Sequence, residues 1–191
     1  MPQDYRFVIL SDTHVGDRAR RLDPALLKAI TGLQPQFILH SGDACRKSTI
    51  AELEKIAPVR NVQGNRDWFQ GYHPPMELQF EVNDVKIAIA HGHISMRQYL
   101  LDKARLFLTL RIPGYQFFRD RIARLYPQAD IIIYGHTHVA ADEVVGGQRL
   151  ISVGAGYPNR LNHFQLEYGL LTVAADGSIA YKHFSVSPTK G

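Results

Sequence analysis

Short apolar runs alternate with amphipathic segments through the first third of the chain. The apolar runs cover residues 6–10, 36–40 and 59–63. One helix is predicted to begin at Asp23, the N-cap, with Pro24 in its first turn. A second is predicted over 49–56, where Thr49 and Glu52 have the spacing of a capping box. This β-α-β-α-β order predicts parallel strands joined by right-handed crossovers.

The remaining two thirds of the chain has a different pattern. Pairs of predicted strands flank three short turns, which favours β-hairpins around 83–84, 146–147 and 176–177. Residues 94–127 have helical periodicity, interrupted at Pro113-Gly114. Parallel and antiparallel strands together predict an α/β fold with mixed sheets and a helical insertion. Without a repeat, a low-complexity stretch or a linker, we expect one domain over 1–191.

The composition is that of a folded protein. Hydrophobic residues make up 45% and charged residues 21% of the chain, which excludes disordered and coiled-coil classes. A single cysteine excludes an intrachain disulfide, and the N-terminus has no signal-peptide pattern, so we expect a cytoplasmic protein. The net charge is +4, but residues 97–124 alone carry seven basic and two acidic residues. This local basicity favours anionic partners.

Polar residues follow five of the predicted strands at the points where the strands end. In open α/β sheets, ligands bind at the carboxyl ends of strands. Each residue alone is also typical of a turn or helix cap, and two histidines separated by one residue are often only solvated. Their recurrence favours one shared site. The donors are Asp12, His14, Asp43, Asn65, His91, His136 and His138.

These seven donors have the chemistry of a metal site. Two aspartates, one asparagine and four histidines form a mixed oxygen and nitrogen set without thiolate, which suits divalent manganese, iron or zinc. Seven donors are too many for one tetrahedral ion. Two ions sharing a carboxylate would use them all, and metal pairs roughly 3.5–4 Å apart are common in phosphoester cleavage.

The donors lie in five short motifs, which together resemble one family. The motifs are D-x-H at 12–14, G-D at 42–43, G-N-x-D at 64–67, H-G-H at 91–93 and G-H-T-H at 135–138. Their order and spacing resemble the calcineurin-like metallophosphoesterases, especially the small bacterial and archaeal phosphodiesterases. The resemblance implies a metallo-dependent phosphatase-like fold, a four-layer α-β-β-α sandwich of two mixed sheets.

The resemblance also implies how the donors divide between two divalent ions. Manganese is the expected metal, with iron, zinc, nickel or magnesium as alternatives. One ion would be held by Asp12, His14, Asp43 and His138. The other would be held by Asp43, Asn65, His91 and His136, with Asp43 as the bridge. The implied reaction is hydrolysis of a small phosphodiester by attack of a metal-activated hydroxide.

The sequence departs from the family pattern beside the asparagine. Many members have histidine where this chain has Arg66. A guanidinium cannot act as a general acid, but it can clamp a phosphate oxygen, and an exposed turn arginine is the alternative. His93 is the candidate leaving-group acid in its place. His40 is interpreted as a buried strand histidine with a backbone partner.

Three other functions stay open at this point. The basic insertion is similar to that of pyrophosphatases acting on nucleotide-linked lipids such as UDP-diacylglucosamine, where it would form a lid or contact a membrane surface. An apolar helical stripe can equally cover the core or form a homodimer contact. The same fold also serves as a non-catalytic protein-interaction scaffold. A nuclease is the third alternative, although no added nucleic-acid-binding domain is present.

Overall fold

The computed structural model describes residues 3–92, 95–109 and 115–189. In this part of the chain, ten strands form two sheets and five helices flank them. The strands are β1 (Tyr5–Leu10), β2 (Phe37–His40), β3 (Val59–Asn61), β4 (Glu77–Val82), β5 (Val85–Ala90), β6 (Ile131–Tyr134), β7 (Ala140–Val145), β8 (Gln148–Val153), β9 (Leu166–Val173) and β10 (Ile179–Val186). The helices are α1 (Pro24–Gly32), α2 (Lys47–Leu53), α3 (Asn65–Phe69), α4 (Met96–Thr109) and α5 (Tyr115–Leu125).

Both sheets are mixed, as predicted. The first has the order β10-β9-β1-β2-β3 and the second the order β4-β5-β6-β8-β7. Strands β1, β2 and β3 are parallel, and so are β5, β6 and β8, while the outer strands pair antiparallel. The three predicted hairpins are the β4-β5, β7-β8 and β9-β10 pairs. The carboxyl ends of β1 and β2 therefore share one edge, as do those of β5 and β6.

The two sheets pack face to face between helices, so the predicted four-layer sandwich is confirmed. Side chains from both sheets, among them Ile9 and Ile133, form one fully buried core. A second apolar cluster joins the outer face of the first sheet to α1 and α2. A third joins the outer face of the second sheet to α5 through Ile122. Each large aliphatic or Phe side chain that is fully buried in these clusters stabilises the folded state by about 1.5–3 kcal/mol.

The two predicted helix starts have different outcomes. Asp23 is the N-cap of α1 and accepts a hydrogen bond from the Ala25 amide at 2.8 Å, which confirms that prediction. The predicted capping box at Thr49 is wrong, because α2 begins two residues earlier at Lys47. Thr49 is buried, and its hydroxyl donates to the Ala44 carbonyl instead of capping the helix.

The helical insertion comprises α4 and α5, and the predicted break at 113–114 lies outside the described residues. Two of its arginines form ion pairs that reduce its basicity. Arg121 binds Asp102 of α4 at 2.7 Å, and Arg119 binds Glu143 of β7 at 2.6 Å. Within the described ranges, no helix has the length and apolar composition needed to cross a bilayer.

Candidate metal centre

The loops that follow β1 and β2 are joined by backbone hydrogen bonds that extend the parallel pairing of these strands. The Asp12 amide donates to the Gly42 carbonyl and the His14 amide to the Asp43 carbonyl, both at 2.9 Å. The second sheet reaches the same place, because the His136 amide donates to Asp12 Oδ2 at 3.1 Å. Strand ends from both sheets therefore meet at one point.

Asp12 lies at the centre of this point. Its side chain is fully buried, and among the described residues its Oδ1 accepts no hydrogen bond. Three imidazole Nε2 atoms surround that oxygen, at 3.1 Å for His138, 3.6 Å for His14 and 3.9 Å for His91. A buried carboxylate oxygen facing three nitrogen donors fits a divalent cation, which would satisfy all four atoms.

Asp43 lies beside Asp12 and faces two of the same histidines. Its Oδ2 is 3.4 Å from His91 Nε2 and 3.7 Å from His14 Nε2. Three groups of side chains have potential ligand atoms within 4.8 Å of one another. Two of them share Asp12, namely Asp12, His14 and His138, and Asp12, Asp43 and His91, while the third is His14, Asp17 and Cys45. The resemblance implies Asp43 as the bridge, whereas here Asp12 belongs to both of the first two groups and Asp43 faces His14 and His91, one histidine from each.

Asn65 and His136 complete the predicted donor set. His136 Nδ1 lies 3.0 Å from Asn65 Oδ1, and the His136 and His91 rings are in edge contact with centroids 5.3 Å apart. Both residues line an open cavity of about 310 Å³, together with His14, Asp43 and His138. The structure thus brings together all seven residues that the sequence predicts as metal ligands.

Outer hydrogen bonds orient these histidines. His91 Nδ1 lies 2.8 Å from the Ser41 carbonyl, which can only accept, so Nδ1 carries the proton and Nε2 faces the carboxylates. His14 is held in the same way by Asp17, whose Oδ2 lies 3.2 Å from Nδ1. Such partners fix the tautomer of metal-binding histidines and commonly contribute about 10- to 100-fold in affinity. Asp17 follows no strand, so the strand-end pattern does not predict it.

The electrostatics of the site favour a cation between the carboxylates. Burial by itself would lower the pKa of His91, but the charges of Asp43 and Asp12 outweigh burial and raise it to about 10. Burial would raise the pKa of Asp12, but the His91 charge and contacts from His138 and His14 hold it well below its usual range. Burial, together with the His91 charge, lowers the pKa of His136 to about 4.

The backbone carries strain at most of the predicted ligands. Five of the seven have positive φ angles, a conformation that aspartate and histidine adopt uncommonly. The angles are 51° at Asp12, 50° at His14, 58° at Asp43, 75° at His136 and 55° at His138. Strain of this kind costs about 1–3 kcal/mol per residue and clusters at functional sites. These turns redirect side chains that a straight strand would send to opposite faces.

A glycine lets two of the loops approach closely. A Cβ at Gly135 would lie 2.1 Å from Ser11 Oγ and 2.9 Å from both Asp12 Oδ2 and the Ser41 carbonyl oxygen. Glycine is therefore required where the end of β6 meets the loops after β1 and β2.

The two predicted catalytic residues beyond the ligands have different outcomes. Arg66 lines the cavity, and its Nε donates to Asp17 Oδ2 at 3.0 Å, so its phosphate contact stays a prediction. His93 lies outside the described residues. His40 is fully buried and contacts the Gly42 amide and the Thr13 hydroxyl, as expected for a structural strand histidine.

Four further residues border the site, and the sequence patterns did not identify them. Arg18, Tyr99 and Lys103 line the cavity of the metal centre. The Tyr157 hydroxyl lies 3.4 Å from His138 Nδ1 and accepts a hydrogen bond from Arg18 at 2.6 Å. The sequence signal for Arg18 is the run R-A-R-R at 18–21, which begins four residues after the last residue of the first motif.

Solved structures of other proteins share this fold. Vacuolar protein sorting 29 of Cryptosporidium parvum has a TM-score of 0.67 at 16% identity, covering 97% of this chain and 99% of its own. An archaeal phosphodiesterase has a TM-score of 0.60 at 22% identity, with coverages of 95% and 99%. Vps29 of Entamoeba histolytica, solved with Zn²⁺, has a TM-score of 0.60 at 23% identity, with coverages of 94% and 98%. At these identities the likeness shows the fold alone.

Relatives detected by sequence identify the family, which the likeness of fold alone does not. A probable metallophosphoesterase of Methanothermobacter thermautotrophicus is 33% identical over 130 residues, 68% of this chain and 64% of that protein. One of Methanocaldococcus jannaschii is 30% identical over 130 residues, 68% of this chain and 57% of that protein. The chain thus matches less than two thirds of either relative's length. The model of the calcineurin-like phosphoesterase superfamily domain matches residues 5–176, which include every predicted ligand. The chain therefore belongs to the calcineurin-like phosphoesterase superfamily.

Proposed function

We propose that the protein is a two-metal phosphodiesterase. The observation that carries the proposal is the arrangement around Asp12 Oδ1, a buried carboxylate oxygen without a hydrogen bond among the described residues that faces three histidine nitrogens. Family membership supports phosphoester chemistry. The diester preference, the number of ions and manganese as the metal are parts of the proposal. So is a cytoplasmic location, which agrees with the single cysteine.

The donors divide into two halves that would each hold an ion. His14 and His138 are grouped with Asp12, and His91 is grouped with Asp12 and Asp43. The His136 ring contacts His91, and Asn65 contacts His136. A bound metal pair supplies an activated water and stabilises negative charge on a phosphoryl group. The protein supplies orientation, because backbone contacts and outer hydrogen bonds hold the ligands before substrate arrives.

Cationic side chains at the rim of the cavity would bind the substrate's phosphate. Arg18, Arg66 and Lys103 line the cavity from three different elements of the chain. Arginine matches phosphate oxygens with two parallel hydrogen bonds, which orients as well as attracts the group. Arg66 is already oriented by Asp17, and in this proposal His93 protonates the leaving alkoxide.

Hydrolysis of bis(p-nitrophenyl) phosphate tests the proposal. Metal-stripped protein should be inactive, and Mn²⁺ should restore activity. The Asn65→Ala variant should lose about 10- to 1000-fold in kcat/KM, because one oxygen ligand and the contact to His136 Nδ1 at 3.0 Å are removed. Absorbance of released p-nitrophenolate measures the rate, and calorimetric titration measures metal stoichiometry and affinity.

An exposed amide elsewhere provides the matched control. Gln128→Ala lies on the exposed turn before β6 and should keep wild-type kcat/KM. If the protein binds two ions but does not hydrolyse this diester with manganese, nickel, zinc or iron, the diesterase is contradicted, and a narrow pyrophosphatase or the non-catalytic scaffold is left. Activity that persists in EDTA would contradict the metal centre itself.

An amphipathic substrate is the second candidate, and a surface feature favours it. Large apolar side chains are exposed on α3 and α4, beside the cavity that Tyr99 lines; they are Trp68, Phe69, Leu100, Leu101 and Leu108. Basic residues of α4, among them Arg97 and Lys103, are also exposed. An apolar helix face with basic neighbours fits an anionic lipid surface. In this candidate the enzyme cleaves the pyrophosphate of a nucleotide-linked lipid at such a surface.

Vesicle co-sedimentation distinguishes this candidate. Wild-type protein should bind vesicles of phosphatidylcholine with phosphatidylglycerol, and Leu100→Glu with Leu108→Glu should weaken binding about 10-fold or more, since each leucine contributes apolar burial. Val144→Glu is the matched control, because Val144 is as exposed but lies on β7 of the second sheet. Equal sedimentation of all three proteins would eliminate the lipid substrate and leave the soluble diester.

A further inference from the structure

A second cavity lies directly beside the metal centre. Its volume is about 300 Å³, close to the 310 Å³ of the cavity at the metal ligands. Arg18 lines both cavities. Tyr157 lines the second cavity, and its hydroxyl lies 3.4 Å from His138 Nδ1. The two cavities are therefore neighbours separated by the Arg18 and Tyr157 side chains.

Those two side chains form a defined partition. The Arg18 guanidinium donates to the Tyr157 hydroxyl at 2.6 Å, and its Cζ lies 5.6 Å from the centroid of the same ring. The Tyr157 ring is also in edge contact with the His14 and His138 rings. Arg18 is thus linked to the predicted metal ligand His138 through Tyr157. Its guanidinium has further N–H donors for groups in either cavity.

The second cavity is strongly basic. Arg20 and Arg21 line it with Arg18, and the acidic residue of its wall is Asp23. Three arginines against one aspartate leave a net charge of +2 on the wall. The Asp23 carboxylate is engaged by hydrogen bonds from the Ala25 amide and from the amide and hydroxyl of Thr189. Within the described residues, Arg20 and Arg21 form no ion pair, unlike Arg119 and Arg121 of the insertion.

We propose that this second cavity binds a terminal phosphate of the substrate, so that the substrate class is a phosphodiester carrying an additional phosphomonoester. A 5′-phosphorylated dinucleotide is the simplest such molecule. The inference rests on the proposed diesterase, whose metal centre takes the internal diester. The terminal phosphate carries a charge of about −1.5 to −2 at pH 7 and presents three acceptor oxygens. Guanidinium forks match those oxygens better than other side chains do.

Two substrates with the same scissile group test the proposal. The dinucleotides TpT and pTpT share one internal diester and differ only in the 5′-phosphate. The wild type with Mn²⁺ should have a kcat/KM at least about 10-fold higher for pTpT, because the arginines of the second cavity would form charge-assisted hydrogen bonds only with the 5′-phosphate. Arg20→Ala with Arg21→Ala should remove that preference and leave hydrolysis of TpT and bis(p-nitrophenyl) phosphate unchanged.

Binding to the metal-stripped protein gives a readout that does not depend on turnover. In EDTA, pTpT should bind the wild type at least about 10-fold more tightly than the double alanine variant. Arg20→Lys with Arg21→Lys should retain part of the affinity, because charge is kept and the planar fork is lost. Lys28→Ala with Lys55→Ala is the charge-matched control, since both lysines are exposed and lie outside the two cavities.

The outcomes separate the two proposals. If the wild type hydrolyses bis(p-nitrophenyl) phosphate but treats TpT and pTpT alike, the second cavity does not bind a phosphate. The same conclusion follows if the lysine control loses as much affinity as the arginine variant. If no diester is hydrolysed at all, the diesterase has failed, and the binding comparison in EDTA still decides whether the arginine cavity recognises the terminal phosphate.

Discussion

Asp12→Asn is expected to reduce metal-dependent hydrolysis by at least about 1000-fold. Asp12 Oδ1 faces three imidazole nitrogens, and Asp12 belongs to two of the three groups of potential ligands. The substitution keeps the shape of the side chain but removes the negative charge. Since bound metal contributes several kcal/mol to transition-state stabilisation, and about 1.4 kcal/mol corresponds to a tenfold change in rate, losing it costs three or more orders of magnitude.

The measurement pairs kcat/KM with metal content. Asp12→Asn protein purified and titrated with Mn²⁺ should bind fewer ions than the wild type or bind them far more weakly, while its circular dichroism is unchanged. Asp176→Asn is the control, because Asp176 lies in the β9-β10 turn, where an amide oxygen can still accept from the Ser178 amide. Wild-type turnover with full metal occupancy in Asp12→Asn would remove Asp12 from the metal centre.

The placement of the ligands followed from the sequence because topology decides it. Once 6–10, 36–40 and 59–63 are recognised as parallel strands, their carboxyl ends must lie at one edge of a sheet. The residues after these strands then lie together, whatever the details of the helices. The burial of the second sheet agrees with its strand order, because the edge strands β4 and β7 alternate in burial and the central strand β6 is buried throughout.

Other features depend on distant parts of the chain meeting in space. The contact between His14 and Asp17 is local, but the carboxylate is identified as an orienting group only once the imidazole is seen to face it. Arg18 and Tyr157 are 139 positions apart in sequence and are brought together by the pairing of the first sheet. The number of basic residues over 97–124 predicted that anionic partners bind at the insertion. In the structure, however, Arg119 and Arg121 of the insertion form ion pairs, whereas Arg20 and Arg21 are exposed and line the second cavity.

Asp67 is expected to give the largest stability effect among residues that do not contact substrate. It is fully buried, and its carboxylate accepts three backbone hydrogen bonds, from the amides of Asp43 at 2.9 Å, Cys45 at 2.5 Å and Gly64 at 2.6 Å. Asp67→Ala leaves three buried N–H groups without an acceptor, each costing about 1–3 kcal/mol. We expect Asp67→Ala to lower the unfolding free energy by about 3 kcal/mol or more, which corresponds to a decrease of about 6–12 °C in Tm.

The loops that Asp67 holds carry two predicted ligands, so stability and metal binding should fall together. Asp67 fixes the backbone at Asp43 and at Gly64, directly before Asn65. Mn²⁺ affinity should therefore drop about 10- to 100-fold in Asp67→Ala, as for other groups that orient metal ligands. Urea unfolding in EDTA isolates the structural effect, and calorimetric titration with Mn²⁺ measures the effect on the site.

Two comparisons make the Asp67 prediction specific. Asp67→Asn keeps one acceptor oxygen, so its unfolding free energy should lie between those of the wild type and Asp67→Ala. Asp130→Ala removes a similar bond, because Asp130 Oδ2 accepts from the Lys86 amide at 2.8 Å, but that residue is exposed and water can replace the carboxylate. The Asp130→Ala variant should lose no more than about 1 kcal/mol of unfolding free energy. If Asp67→Ala is no less stable than Asp130→Ala, the buried amides of the two loops have found other acceptors, and Asp67 does not organise the metal centre.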